Sequence, residues 1–239
     1  MRVAALYDVH GNLPALEAVL REVESEAVDS VVCGGDLVGG PYSAEVFDRL
    51  ESLPDVRFVR GNVDRLIAEG VAEHERDWKD ERRRLGRERV AAIATWPLTV
   101  ELELDGLGRA VFCHAVPGAD EPIVTRITPD ADVAELIGDV EAGLVVCGHT
   151  HVQFDRQLPD GPRVVNAGSV GMPYEGRCGA FWALLGPTVE LRHTEYDVEA
   201  AAIEIRRVAP STSEQQVGWL LDPPDPDEAT AYFEGQRKS

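Results

Sequence analysis

Apolar residues come in short bursts along this chain, and most bursts stop at a polar or glycine-rich loop. The run Val3 to Tyr7 stops at Asp8 and predicts a first strand. Leu13, Leu16, Val19, Leu20 and Val23 then recur at helical spacing, which predicts a helix from Leu13 to Ala27 with Asn12 as cap and Pro14 in the first turn. Ser30 to Cys33 is a second strand halted by Gly34-Gly35, and Ala44, Val46, Phe47 and Leu50 mark a second helix. Val56 to Val59 is a third strand that ends before Gly61. Strand, loop and helix in repetition imply parallel strands with crossover helices, so the fold class is α/β.

From 67 to 96 the pattern becomes helical and densely charged, as in Glu81-Arg82-Arg83-Arg84. A solvated helix face is the expected role, with a substrate-facing lid as the other reading. Leu98 to Leu104 and Arg109 to Cys113 read as a hairpin around Gly106 to Gly108, and a helix is predicted from Asp130 to Glu141. Leu144 to Cys147, Val152 to Leu158, Arg163 to Val165, Gly179 to Leu185 and Val189 to Arg192 follow as strands, so the second half is richer in sheet. Asp197 to Val208 is a closing helix capped by Asp197. The stretch 210–239 is rich in Pro, Ser and Asp and predicts a partly ordered tail without chemistry, in which Val217 to Leu221 docks locally and Glu228 to Phe233 forms a last helical turn. With no linker before residue 209, one domain over 1–209 is the economical reading.

Charge narrows the possible partners. The 239 residues carry 23 Lys plus Arg against 43 Asp plus Glu, a formal charge of −20. Such a surface argues against binding duplex nucleic acid or anionic membrane. No apolar stretch approaches the roughly 20 residues of a membrane helix, and the first apolar run reads as a strand rather than a signal peptide, so the cytoplasm is the expected location. Cys33, Cys113, Cys147 and Cys178 are widely spaced and form no C-x-x-C pair, which points to buried small side chains rather than disulfides or thiolate zinc.

The chemistry concentrates where the predicted strands end. Strand ends deliver Asp8-Val9-His10-Gly11-Asn12, Gly34-Gly35-Asp36, Gly61-Asn62-Val63-Asp64, His114, and Gly148-His149-Thr150-His151. Each motif alone is weak, but in open α/β sheets such loops converge on one crevice. Carboxylates, imidazoles and one carboxamide make a ligand set suited to divalent transition metals, without the thiolates of structural zinc. Alternation in Asp8-x-His10 and His149-x-His151 lets both members of each pair face one cleft.

This ordered set resembles the calcineurin-like metallophosphoesterases, specifically their small bacterial and archaeal phosphodiesterase branch, and it spans roughly two-thirds of the chain. Asn166-Ala167-Gly168-Ser169-Val170-Gly171 is similar to a loop of that branch. The resemblance implies a four-layer α/β/β/α sandwich, two mixed sheets flanked by helices, with two metals at the strand ends. It implies that Asp8, His10, Asp36 and His151 hold one metal, and that Asp36 bridges to a second held by Asn62, His114 and His149. Asp36, Asn62 and His114 are thereby also the expected catalytic residues, serving a metal-bridging hydroxide that attacks phosphorus. The two ions could be manganese, iron, cobalt, nickel or zinc.

Many relatives place a histidine directly after Gly-Asn, where this chain has Val63, although the phosphodiesterase branch commonly lacks it. Without that proton donor, aryl or otherwise stabilised leaving groups are favoured. Asp64 either orients His114 or begins a helix, and Asn12 either contacts a phosphate oxygen or caps its helix. Tyr42, Trp78, Tyr174 and Arg177 are candidates to line the cleft, while His74 and His193 lie outside the motifs. The expected substrate is a small phosphodiester or nucleotide. Phosphomonoesterase or protein phosphatase-like activity is the nearest alternative, and a non-catalytic scaffold of the same fold is the alternative from another class.

Overall fold

Strand β1 (Val3–Leu6) shows how the layers are built, because its alternate residues enter different cores. Ala4 and Leu6 pack among helices, while Val3, Ala5 and the following Tyr7 pack against a second sheet. A strand buried on both faces reads as a continuous apolar run, as this one does.

The computed structural model describes residues 1–71, 78–209 and 213–237. The first half runs α1 (Leu13–Val23), β2 (Ser30–Cys33), α2 (Ser43–Glu51), β3 (Val56–Phe58), α3 (Asn62–Glu69) and α4 (Lys79–Ile93). Then come β4 (Thr99–Leu104), β5 (Gly108–Cys113), α5 (Asp130–Ile137), β6 (Leu144–Cys147), β7 (Phe154–Gln157), β8 (Arg163–Asn166), β9 (Ala180–Leu185) and β10 (Val189–Thr194). Three helices close the described chain: α6 (Val198–Val208), α7 (Glu214–Leu221) and α8 (Pro226–Arg237).

Two five-stranded mixed sheets result, ordered β10-β9-β1-β2-β3 and β4-β5-β6-β8-β7. β1, β2 and β3 are mutually parallel, as are β5, β6 and β8, so their carboxyl ends deliver loops to a shared edge. Phe112, Val146 and Val165 meet Tyr7 and Val32 between the sheets, and the Tyr7 hydroxyl donates to the Val146 carbonyl at 2.9 Å. Val133 and Ile137 of α5 cover the outer face of the second sheet, and α1, α2 and α4 cover that of the first. The expected α/β class and its two helix-flanked sheets are what the structure shows.

Boundaries differ where apolar spacing gives out. The first helix ends at Val23 rather than Ala27, because Glu24, Ser25 and Glu26 offer no apolar face and Ala27 turns to φ 49°. The predicted Asp130–Glu141 helix stops at Ile137, where Gly138 takes φ 67°. In the charged segment, Leu85 and Ile93 pack α4 into the core beside Trp78 and Trp96, while Arg89 pairs outward with Asp48 at 2.6 Å. His74 lies outside the described residues.

The segment expected as a partly ordered tail carries α7 and α8. Val217 and Leu220 bury against Ala201, Ala202 and Ile205 of α6. Glu234 anchors α8 by accepting the Thr125 hydroxyl at 2.7 Å and that of Thr128, with Arg237 at 2.9 Å. No helix among the described residues is long and apolar enough to cross a membrane.

Candidate metal centre

The loops after β1 and β2 continue to pair beyond the strands. Backbone N–H groups of Asp8 and His10 donate to the carbonyls of Gly35 and Asp36 at 3.0 and 2.9 Å. These loops and the one after β6 share an unusual backbone. Asp8, His10, Asp36, His149 and His151 have φ of 52°, 46°, 52°, 67° and 58°, in the left-handed region, and among the described non-glycine residues only Ala27 joins them. Left-handed backbone costs an L-residue about 1–2 kcal/mol. Persistence of that strain at five of the seven candidate ligands marks the loops as a functional site.

Two glycines make the close approach workable. Gly35 has φ +99°, and a Cβ there would stand 2.6 Å from His114 Nδ1. A Cβ on Gly61 would stand 2.1 Å from Asp36 Oδ1. With hydrogen in that place, Asp36 Oδ1 instead accepts the backbone N–H of Val63 at 2.8 Å, at the positive N-terminus of α3.

Two compact groups of ligand atoms form, Asp8 with His10 and His151, and Asp8 with Asp36 and His114, each within 4.8 Å. Asp8 Oδ1 is 3.2 Å from His151 Nε2, 3.8 Å from His10 Nε2 and 4.0 Å from His114 Nε2. Asp36 Oδ2 lies 3.5 Å from His114 Nε2 and 3.9 Å from His10 Nε2. The compact groups therefore share Asp8, whereas the family resemblance gives the shared role to Asp36; both carboxylates face imidazoles of both groups. Asn62 Oδ1 is 3.0 Å from His114 Nε2, and the His149 ring sits 5.1 Å from that of His114. All seven candidate ligands are thus gathered at one edge of the paired sheets.

The protonation pattern favours a cation. His114 Nδ1 donates to the Gly34 carbonyl at 3.0 Å and His151 Nδ1 to that of Met172 at 2.7 Å. In the neutral tautomer each Nε2 then turns a lone pair toward acceptor oxygens. The Asp8 Oδ1 atom is buried with no hydrogen-bond partner. Burial opposes charge on His114, but Asp36 and Asp8 outweigh it and lift the ring to about 10, so the two carboxylates draw positive charge to that Nε2 and a metal binding there displaces a proton. Burial also pushes His10 and His149 down to about 4, which keeps them neutral and able to ligate. Burial opposes ionisation of Asp36 as well, yet His114 and His10 hold its carboxyl well below the usual range. An orphaned carboxylate oxygen, converging lone pairs and neutral imidazoles fit divalent transition metals.

Other predicted residues take different roles. Of the two roles expected for Asp64, the structure shows the one at the start of a helix and not the orienting of His114: it caps α3 by accepting Gly61 N–H at 3.0 Å, and the same carboxylate accepts the N–H groups of Asp36, Leu37 and Val38 at 2.8, 3.1 and 3.3 Å. Asn12 caps α1 through Ala15 N–H at 3.2 Å, and its amide donates to Gly171 O and Tyr196 Oη at 3.0 and 3.3 Å, so capping and tethering occupy both its ends. Trp78 is buried in the helix-side core, Tyr42 leans on α6 through Glu204 O, and Arg177 lies over Phe181 at 5.1 Å. His193 Nε2 bonds Cys178 O at 2.9 Å. Of the four cleft candidates, only Tyr174 reaches the ligands, stacking on His151 at 4.7 Å.

Two further supports come from the Asn166 to Gly171 motif, which in the sequence carries no assigned role. Asn166 Nδ2 donates to Gly148 O at 2.6 Å and Thr150 Oγ1 at 3.1 Å, holding the His149 loop. Ser169 Oγ donates to Asp8 O at 2.7 Å. The tail also reaches the site, with Gln216 Nε2 donating to His10 O at 3.0 Å and Phe233 6.4 Å from the His149 ring.

Comparison with known proteins agrees with this geometry. Residues 1–184 match the calcineurin-like phosphoesterase superfamily domain. An uncharacterized protein of Methanocaldococcus jannaschii is 26% identical over 228 residues, covering 83% of this chain and 89% of that protein. The crystal structure of a metallophosphoesterase from Sphaerobacter thermophilus superposes with TM-score 0.72 at 25% identity, over 93% of this chain and 99% of that one. A hypothetical protein from Pyrococcus horikoshii shares the fold, with TM-score 0.79 at 22% identity over 94% and 99% of the two chains.

Proposed function

Because the chain belongs to the calcineurin-like phosphoesterase superfamily, we propose that it is a dinuclear metal-dependent phosphodiesterase acting on small phosphodiesters or nucleotides. The observation that carries this reading is the pair of Asp and His groups joined at Asp8, whose buried Oδ1 accepts no hydrogen bond and faces three imidazoles. Asp8, His10, Asp36 and His151 would hold one ion, and Asp36, Asn62, His114 and His149 the other. Bound there, such ions supply Lewis-acid activation of a water and neutralise charge on the phosphoryl oxygens.

The protein's own groups set the rest of the chemistry. Gly34 O and Met172 O fix the ring orientations of His114 and His151 through their Nδ1–H groups. Asp64 clamps the loop that presents Asp36. Val63 follows Asn62 but turns its side chain toward the helix-side core, so it offers no proton to a departing oxygen. Among the described residues, the hydrogen bonds and ion pairs of the ligand set bring in no arginine or lysine; the neighbouring Arg65 is held by Asp120 and Glu121 at 2.7 and 2.6 Å. A diester carries one negative charge where a monoester carries nearly two at neutral pH, and a ligand set that draws in no guanidinium among the described residues favours the former.

The test is hydrolysis of bis(4-nitrophenyl) phosphate and of 4-nitrophenyl phosphate by metal-stripped protein, with Mn²⁺, Ni²⁺, Zn²⁺ or Mg²⁺ restored singly. Expected is diester turnover that requires a transition metal, exceeds monoester turnover and vanishes in Asp36→Ala. Equal rates with and without metal would overturn the proposal, and a monoester preference would overturn its diester part.

A further inference from the structure

Aromatic rings lead away from the ligand cluster in a continuous path. Phe233 lies 6.3 Å from Tyr174, which itself stacks on His151, and Trp219 meets Tyr174 edge-on at 5.7 Å. Tyr232 meets Phe233 edge-on at 5.7 Å. These four rings wall a cavity of about 430 Å³ whose polar lining includes Gln215 and Glu228. All of it except Tyr174 is supplied by α7, α8 and the turn between them. The ring at the mouth is open, with Tyr232 64% exposed, and Trp219 is half-buried while Trp78, Trp96 and Trp182 are buried.

We propose that this cavity is the subsite for the nucleobase of a nucleoside phosphodiester, a reading that rests on phosphate binding at the Asp and His cluster. Its volume lies within the range of small-molecule pockets. Four aromatic side chains present faces and edges to a planar ring, the usual means of holding a base without reading its sequence. Gln215 can donate and accept at a base edge, and Glu228 can accept from an exocyclic amine. Glu228 would also repel a phosphate, so the two ends sort the substrate, with base at the aromatic wall and phosphate at the histidines. The wall stands ready before substrate arrives, because Val217, Leu220 and Glu234 fasten α7 and α8 to the domain.

Base binding can be read without turnover. Adenosine and ribose 5-phosphate are titrated separately into metal-stripped protein while tryptophan emission is followed. Saturable quenching by adenosine, absent with ribose 5-phosphate and absent in Trp219→Phe, is expected. No response to adenosine, or an equal response to ribose 5-phosphate, would overturn the subsite.

Kinetics provide a second reading with two esters that share one leaving group, adenosine 5′-(4-nitrophenyl phosphate) and methyl 4-nitrophenyl phosphate. The ratio of kcat/KM, nucleoside over methyl ester, should fall roughly tenfold in Tyr232→Ala, as expected for one lost stacking contact. Tyr232 is exposed, so the variant keeps the fold. An unchanged ratio would overturn the subsite and leave the phosphodiesterase reading standing. Quenching by adenosine with neither ester hydrolysed under any metal would support the subsite and overturn the phosphodiesterase instead.

Discussion

Asp64 accepts the backbone N–H of Asp36 at 2.8 Å, and the same carboxylate gathers the N–H groups of Leu37, Val38 and Gly61. One buried side chain thereby closes two loops on each other, the one after β2 and the one opening α3. Asp64→Ala would leave four backbone donors without an acceptor, and a cost of about 3 kcal/mol is expected after water enters. For a chain of this size that lowers Tm by roughly 6–12 °C. Because Asp36 loses its support, metal affinity should fall about 10–100-fold as well. Calorimetric unfolding of metal-free protein and titration with Mn²⁺ check the two effects separately, and a Tm within a degree of wild type would refute the clamp.

Backbone strain at the ligand loops predicts an inverted substitution order. At ordinary positions glycine is less favourable than alanine, but His149 holds φ 67°, where a Cβ is penalised. His149→Gly should therefore be more stable than His149→Ala by about 1 kcal/mol in metal-free protein. Urea unfolding of both variants measures the difference. Alanine equal to or above glycine would show that the loop relaxes once the imidazole is gone.

Much of the site was legible because its parts lie next to one another along the chain. Apolar runs such as Val145-Val146-Cys147 stop where a polar set begins, and parallel strands carry those stops to one edge. What could not be read were long-range consequences of packing. Asp64 begins α3, as one reading of the sequence has it, but the loop 28 residues away that the same carboxylate holds leaves no local signal. Trp78 looked like a cleft residue from its charged surroundings, yet α4 turns its apolar side inward and takes Trp78 into the core. Of the closing helices the sequence shows only a local docking at Val217 to Leu221 and a helical turn at Glu228 to Phe233, because their full eight and twelve residues depend on contacts such as Val217 on Ile205. Their Pro and Asp content masked a wall that touches the ligands.

The docking of α8 should depend on pH through Glu234. Burial opposes its charge, but the Thr128 and Thr125 hydroxyls and Arg237 outweigh that and hold the carboxyl below its ordinary value. Arg237 in turn pairs with Asp132 of α5 at 2.8 Å. A depressed carboxyl stabilises the folded arrangement above its unfolded pKa of about 4.3, and that stabilisation is lost as pH falls through the lower folded value. Protection of the amides in 226–237, taken relative to the intrinsic exchange rate at each pH, is thus expected to fall below about pH 4 before the sheets open. Glu234→Gln should be less protected than wild type at neutral pH and lose this acid step. An acid loss of protection equal in wild type and variant would place the titrating group elsewhere.

Val63 leads to the last prediction, which concerns the leaving group. Its side chain packs toward Gly39, where an added Cβ would come within 2.6 Å of Val63 Cγ1, so the position after Asn62 is filled by hydrocarbon anchored in the core. Hydrocarbon cannot protonate the oxygen that departs from phosphorus, and the transition state must carry that developing charge with little proton assistance. Rates across a series of methyl aryl phosphodiesters should then fall steeply as the pKa of the phenol rises. Under a fully assisted departure the same series would be nearly flat, because a proton delivered in the transition state cancels the charge that makes a poor leaving group poor. Single-turnover measurements with excess enzyme keep product release out of the comparison. A flat series would mean that another group supplies the proton, and the exposed side of the cleft rather than Val63 would be the place to find it.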